Sequence, residues 1–106
     1  MCEKNNRSFC CPESKVLTEE ICGNLHGPID QAVWTAPSPN DYFQGTFSVT
    51  NTGATPFIFS VNGVVYTVPP GNTVSASVNN PTTFIVTLDA NETGRYCITL
   101  YKRFFV

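Results

Sequence analysis

The sequence predicts an all-β protein: an eight-stranded jelly-roll sandwich that follows a flexible N-terminal arm. From Lys15 onward, short β-branched and aromatic runs are separated by Gly, Pro and Asn at steps of roughly 8–12 residues, and no segment has a convincing helical period. Asn62-Gly63 lies between two apolar runs, which strongly indicates a hairpin, because a type I′ turn needs positive φ at both central residues. Eight antiparallel strands in residues 15–106 suit a jelly roll, with an immunoglobulin-like sandwich or a small barrel as alternatives.

Each predicted strand is a run of β-forming residues that ends at a turn signal. The first two, "KVLTEEIC" and "IDQAVWTA", flank a Gly-Pro pair, and the next two, "YFQGTFSVT" and "TPFIFSV", combine aromatic and β-branched side chains. "VVYTVP" follows the Asn-Gly turn, while "VPPGNT" and "NNPTT" mark tight connections on either side of "TVSASVN". In chain order the predicted strands are residues 15–22, 29–36, 42–50, 55–61, 64–69, 73–79, 82–88 and 95–105.

Residues 1–14 differ from the rest of the chain and predict a flexible arm attached to a body of residues 15–106. They have no periodicity and contain Cys2, Cys10 and Cys11. Pro12 stiffens the exit from the arm, because proline fixes its own φ and biases the preceding residue toward an extended conformation. Fourteen extended residues span up to about 46 Å, so the arm can reach a neighbouring molecule. Linkage of Cys10 to its own body remains an alternative.

The other two cysteines lie in predicted strands and are expected to face away from the core. In "RYCITLYK" the apolar Tyr96, Ile98 and Leu100 share one face, which leaves Cys97 on the opposite face. By the same alternation Cys22 lies on the face opposite Leu17, although Glu19 also falls on the Leu17 face.

The cysteines have no evident role in folding, because a chain of 106 residues is long enough to bury its own core. Cys10 and Cys11 are adjacent, and a disulfide between neighbours strains the peptide that joins them. An odd total of five indicates intermolecular bonding or a free thiol in any monomer. We therefore favour pairing between chains over an interpretation of the cysteines as small buried apolar residues.

Composition excludes several classes of function. Charged residues make up 13% of the chain and the net charge is −2, so there is no basic patch for nucleic acid, and this weakly charged surface suits packing against other proteins. The apolar runs fall far short of a membrane span. "MCEKNNR" leads into no apolar signal segment, and we expect synthesis in the cytoplasm, where thiols begin reduced.

The sequence predicts no catalytic, cofactor-binding or metal-binding residues. Cys22 and the single histidine, His26, are four residues apart, but a structural zinc site usually takes its four ligands as two close pairs, and the adjacent Cys10 and Cys11 do not provide such a pair. As a nucleophile and base, Cys22 and His26 lack an orienting carboxylate at any motif spacing. We interpret His26 as a loop residue that follows the first strand.

Three motifs together resemble the endospore appendage pilins: "CCP" in a short N-terminal arm, "VLTEEICG" at the start of the body, and "YCITLYKR" near the C-terminus. The specific part is an arm Cys-Cys pair combined with one cysteine in the first strand and one in the last. The resemblance covers essentially the whole chain. It implies a jelly-roll subunit that assembles with identical copies into fibres on the spore surface. Composition, as above, predicts neither nucleic acid nor membrane as a partner.

What the resemblance implies for assembly can be stated residue by residue. Neighbours are joined by edge-to-edge strand pairing, and successive layers by arm disulfides in which Cys10 and Cys11 match the donors and Cys22 and Cys97 the acceptors. Cys2 has no secure counterpart. The compact body favours the ladder-like form of stacked rings over the staggered helix. An anchor in the spore coat or exosporium is a further partner that the resemblance allows.

A second class of function is a monomeric β-sandwich binding module with redox-active cysteines. Non-reducing gel electrophoresis discriminates the two: a pilin gives a ladder or material too large to enter the gel, and a module gives monomer.

Overall fold

The computed structural model describes residues 14–38 and 42–105 and places eight strands in them. All eight predicted strands are present, and these residues contain no helix. No described segment is a helix that could cross a membrane. The strands are Ser14–His26 (β1), Ile29–Thr35 (β2), Gln44–Asn51 (β3), Phe57–Val61 (β4), Val64–Val68 (β5), Thr73–Asn79 (β6), Thr83–Leu88 (β7) and Thr93–Phe105 (β8).

The strands form two antiparallel sheets of four. The first sheet has the order β1-β8-β3-β6 and the second the order β2-β7-β4-β5. Strands therefore pair as β1 with β8, β2 with β7, β3 with β6 and β4 with β5, while the chain passes from one sheet to the other. This is the jelly-roll arrangement, so the predicted fold is confirmed and the two alternatives are excluded.

The core lies between the two sheets and follows the two-residue alternation of the strands. The rings of Phe47 from β3 and Phe84 from β7 have centroids 5.2 Å apart, which brings the inner faces of both sheets into contact. Each fully buried side chain of this size contributes about 1.5–3 kcal/mol by leaving water. The large side chains that are less than 2% exposed are Phe47, Phe59, Phe84, Ile98, Leu100, Val49, Val61, Val68, Val86, Asn51 and Pro81.

The predicted hairpin at Asn62-Gly63 is confirmed. Asn62 has φ 52° and Gly63 has φ 85°, the positive values that a type I′ turn requires. The Asn62 side chain also anchors the turn, because its Oδ1 accepts hydrogen bonds from the backbone N–H of Thr82 at 2.8 Å and from the Thr82 hydroxyl at 2.9 Å. The turn between β4 and β5 is thus fixed to the connection between β6 and β7.

One buried amide organises the connection between β3 and β4. Asn51 is 1% exposed, and its Nδ2 donates to the carbonyl oxygens of Thr55 at 2.7 Å and Val68 at 3.0 Å. Its Oδ1 accepts from the backbone N–H of Gly53 at 2.8 Å. Because three backbone groups depend on this side chain, Asn51 is a structural residue.

A carboxylate performs a similar task at the turn between β7 and β8. Glu92 accepts a hydrogen bond from the Thr55 hydroxyl at 2.6 Å and another from the backbone N–H of Asp89 at 2.7 Å. The bond from Thr55, and after it the bond from Asp89, hold the pKa of Glu92 below its usual value of 4.5, against a smaller opposing effect of burial. The ionised side chain therefore connects this turn to the β3–β4 connection.

The first strand is longer than predicted. β1 continues past Cys22 to His26, so the prediction that His26 lies in a loop is wrong. The segment lacks β-branched residues, but tertiary contacts hold it extended. Leu25 is buried at 4% exposure, and Gly23 leaves room for Tyr96, whose ring would lie 2.7 Å from a Cβ atom at that position.

Candidate functional site

Cys22 and Cys97 lie directly opposite each other on β1 and β8 and form a disulfide within the chain. Their Cα atoms are 4.1 Å apart, which indicates a pair without hydrogen bonds between the two residues, the arrangement that brings opposite side chains closest. Cys97 is half-buried and Cys22 exposed, whereas the neighbouring Ile98 is fully buried. Both cysteines therefore lie on the outer face of the first sheet, as the alternation predicts.

The structure brings two of the four predicted linkage residues together. The single chain joins Cys22 to Cys97, while their expected partners, Cys10 and Cys11, lie outside the described residues, as does Cys2. The intermolecular pairing stays a prediction. This pairing requires a step that the sequence did not indicate: the bond between Cys22 and Cys97 must open before either residue bonds to an arm cysteine.

A shallow recess of about 160 Å³ adjoins the disulfide on its Cys97 side. It is lined by Cys97, Arg95 and Tyr96 of β8 and by Ser48 and Thr50 of β3. Arg95 is exposed and, two residues from Cys97, lies on the same outer face. Sequence reasoning missed Arg95, although its spacing from Cys97 is a signal that could have found it.

The outer face between β3 and β6 is a ladder of paired hydroxyl groups. The oxygen atoms of Ser48 and Ser75 are 2.7 Å apart, as are those of Thr50 and Thr73. Thr46 and the serine opposite it on β6 form a third pair, with hydroxyl oxygens 2.9 Å apart. This face is polar but uncharged, and its hydroxyls bond one another across the strands.

The sandwich has four edge strands, two on each side of the molecule. β1 and β2 lie at one side, and β5 and β6, which residues 69–72 connect, lie at the other. Neither β5 ("VVYTV") nor β6 ("TVSASVN") contains a charged residue or a proline. Val64 and Val65 of β5 are 54% and 59% exposed. Monomeric proteins usually protect such edges with charge, proline or a covering segment, so this side is suited to pairing with another strand.

The β1 side also exposes apolar surface. Ile21 faces the interior, opposite Ile98, yet it is 38% exposed, and Leu17 on the same face is 44% exposed. The second sheet therefore covers the core-facing side of β1 only in part.

A second recess, of about 480 Å³, lies among the β3–β4 and β7–β8 connections and includes Asp89 and Glu92. The Glu92 carboxylate is already bound by Thr55 and by the backbone of Asp89. The described part of the chain contains no group of three or more His, Cys, Asp or Glu residues placed to hold a metal ion.

Comparison with known proteins relates the chain to one family. The family model named for endospore appendages matches residues 8–104, a range that includes Cys10, Cys11, Cys22 and Cys97. A solved structure of Bacillus endospore appendages, described as forming a novel family of disulfide-linked pili, is similar with a TM-score of 0.72 and 18% identity, over 92% of this chain and 97% of that chain. A cupin protein from Bacteroides fragilis has a TM-score of 0.45 and 12% identity, over 94% and 86% of the two chains. No curated protein matched the sequence.

Proposed function

We propose that this chain, which belongs to the endospore appendage family, is a self-assembling structural subunit of a disulfide-crosslinked fibre on the spore surface. The jelly-roll body supplies lateral contacts between subunits, and the N-terminal arm supplies covalent contacts between layers. The structural likeness to disulfide-linked pili supports an architectural role in place of catalysis.

Lateral association by strand pairing is supported by the two sides of the sandwich. The uncharged β5 and β6 edges of one copy face the β1 and β2 edges of the next when copies are arranged head to tail. Because the two contact surfaces differ, such an interface repeats, and it generates a ring if the rotation closes and a helical filament if it does not.

The backbone of β6 is oriented for this pairing. Since Cys97 and Cys22 form a pair without mutual hydrogen bonds, the backbone groups of Cys97 point away from β1, toward Ser48 of β3. The same alternation directs the backbone groups of Ser48 toward β8, so those of Ser75, its neighbour on β6, point out of the sheet. An incoming strand would find free donors and acceptors there.

Covalent linkage between copies is the second part of the proposal. The main observation in support of this linkage is that β1 begins at Ser14, eight residues before Cys22. At about 3.3 Å per residue this strand places Cys22 about 26 Å from Ser14. Cys11 and Cys10 are three and four residues before Ser14 and extend at most about 11 and 14 Å from it. The body cysteines are thus beyond the reach of Cys10 and Cys11 of the same chain, so these residues are available to another copy.

Two adjacent links would also fix the direction of the arm. A single bond lets a chain pivot about it, whereas bonds from both Cys10 and Cys11 to Cys22 and Cys97 of other copies hold position and orientation. Disulfides resist dilution, unlike non-covalent contacts, and they persist in oxidising surroundings. Assembly of subunits whose arm thiols are reduced, followed by locking in air, accounts for a fibre made in the cytoplasm and displayed outside.

The test compares the wild-type protein with the double variant Cys10→Ser, Cys11→Ser. Electron microscopy of the wild type should show fibres, and non-reducing electrophoresis after boiling in detergent should show a ladder. The double variant should remain folded and lose the ladder, while the matched control Cys2→Ser should keep it. A monomer band from wild-type protein in air would instead support the monomeric binding module.

A further inference from the structure

We propose that the disulfide between Cys22 and Cys97 is itself the reactive site that captures an incoming arm. A thiolate from Cys10 or Cys11 of a second copy attacks the Cys97 Sγ, forms the bond between copies and displaces Cys22. This inference rests on the proposed function, since it specifies how an arm and a body become linked.

The position of the recess selects Cys97 as the sulfur that is attacked. A thiolate attacks a disulfide in line with the bond that breaks, on the side opposite the leaving sulfur. β8 lies between β1 and β3, so the side of Cys97 opposite Cys22 is the side of β3. The recess lined by Ser48 and Thr50 of β3 adjoins Cys97 on that side. An arm that enters the recess therefore approaches Cys97 along the required direction.

Charge in the recess favours a thiolate. Among the described residues that line the recess, the Arg95 guanidinium is the charged group and none is a carboxylate. The residue that faces Arg95 on β1 is the neutral Asn24, and the one on β3 is the neutral Thr50. A positive charge close to the attacked sulfur attracts the thiolate and stabilises the negative charge that is spread over the sulfurs during exchange.

Cys22 is placed to leave. It is exposed and lies on β1, an edge strand, so water solvates the thiolate that departs. Cys97 is half-buried between β1 and β3, where a departing thiolate would be less well solvated. Solvation and the charge in the recess thus both favour attack on Cys97 and departure of Cys22.

The exchange balances without an oxidant. An arm thiol gives its proton to water, its sulfur bonds to Cys97, the bond between Cys97 and Cys22 breaks, and the Cys22 thiolate takes up a proton. One disulfide is consumed and one is formed. The first link between copies therefore needs no oxygen, whereas a second link from Cys22 is a separate two-electron oxidation that lies outside this step.

The test uses the full-length protein with Cys2, Cys10 and Cys11 replaced by serine, so that Cys22 and Cys97 alone remain. The probe is a synthetic peptide of residues 1–13 in which Cys2→Ser and Cys10→Ser leave Cys11 as the only thiol. The two are mixed without oxygen, free thiols are blocked with iodoacetamide, and peptide mapping by mass spectrometry locates both the adduct and the alkylated cysteine. We expect one peptide per chain, bonded to Cys97, with Cys22 alkylated.

Two arginine variants test the role of the recess. Arg95→Gln should slow formation of the adduct about threefold to tenfold, since it removes one exposed charge near the reacting sulfurs. Arg103→Gln removes a charge from the same face of β8 at its far end, where the guanidinium lies 4.5 Å from the centroid of the Phe43 ring. The rate of adduct formation should be unchanged in this variant. Equal slowing by both variants would show a general effect of charge and overturn the assignment of the recess.

Other results would overturn the proposal outright. An adduct on Cys22 with Cys97 alkylated would mean that the wrong sulfur was assigned. Absence of an adduct without oxygen, when wild-type fibres formed in air do contain arm-to-body disulfides, would refute exchange and leave the proposed function standing. Fibres that contain no arm-to-body disulfides would instead refute the proposed covalent linkage itself.

Discussion

Removing the bond between Cys22 and Cys97 should weaken the body without unfolding it. The variant replaces both residues with serine in a background that already lacks the three arm cysteines. The bond joins residues separated by 75 positions, and closure of a loop of that length lowers the entropy of the unfolded chain by an amount equivalent to about 4.5 kcal/mol at 25 °C. Measured losses generally fall below this limit. We expect the free energy of unfolding to decrease by about 3–4.5 kcal/mol.

The body should remain folded because its core does not depend on the disulfide. In the part of the chain that the structure describes, fourteen hydrophobic side chains are buried between the sheets, whereas both cysteines lie on the outer face. Domains of this size usually have unfolding free energies of about 5–15 kcal/mol, so a loss of this magnitude leaves a cooperative folded state.

Urea unfolding measures the effect, with circular dichroism and Trp34 fluorescence as independent probes. Dithiothreitol added to the parent protein should reproduce the serine variant, because both treatments remove the same bond. An unfolded variant at 25 °C would show that the disulfide is essential for folding. It would refute the view that the body folds independently of the cysteines that link copies. A loss below about 1 kcal/mol would contradict a closed disulfide in the isolated subunit.

Three other predictions concern the body and its edge. Asn51→Ala should reduce the free energy of unfolding by about 3 kcal/mol in a urea titration, because three backbone groups lose their partner, whereas Asn72→Ala, an exposed control, should change it little. The pKa of Glu92 is lower in the folded than in the unfolded protein, so the stabilisation from its carboxylate is complete above pH 4.5 and disappears as the pH falls through the folded pKa. Glu92→Gln should lessen that acid-dependent loss of stability in thermal melts, and an unchanged dependence of the melting temperature on pH would refute this role. Ser75→Pro should prevent lateral assembly in electron micrographs yet leave the dichroism spectrum unchanged, while Val74→Pro should destabilise the body itself by removing a bond to β3. Normal assembly of Ser75→Pro would exclude the β6 edge.

The sequence predicts the β-sheet architecture well because its local signals agree with the tertiary fold. Alternation in "RYCITLYK" correctly places Cys97 on the outer face, and the Asn62-Gly63 pair correctly places a hairpin. The end of β1 was missed because "GNLH" has little local β-propensity and is held by contacts with distant residues. Gly23 against Tyr96 and the burial of Leu25 are tertiary effects that no pattern within the segment indicates.

The position of Cys22 directly opposite Cys97 also could not be predicted from the sequence. Alternation gives the face of each residue, but the register between β1 and β8 decides that the two stand opposite each other. A shift by two residues would keep both cysteines on the outer face and separate them along the strands. The recess beside Cys97 depends in the same way on the register of β8 with β3.

In the proposed fibre, arms from some copies hold the bodies of others by disulfides. Peptide mapping by mass spectrometry of unreduced fibres, digested after all free thiols have been blocked, tests it most directly. We expect peptides in which Cys10 and Cys11 are joined to Cys22 and Cys97. Fibres in which Cys22 is still joined to Cys97, while Cys10 and Cys11 are recovered as blocked free thiols, would contradict it.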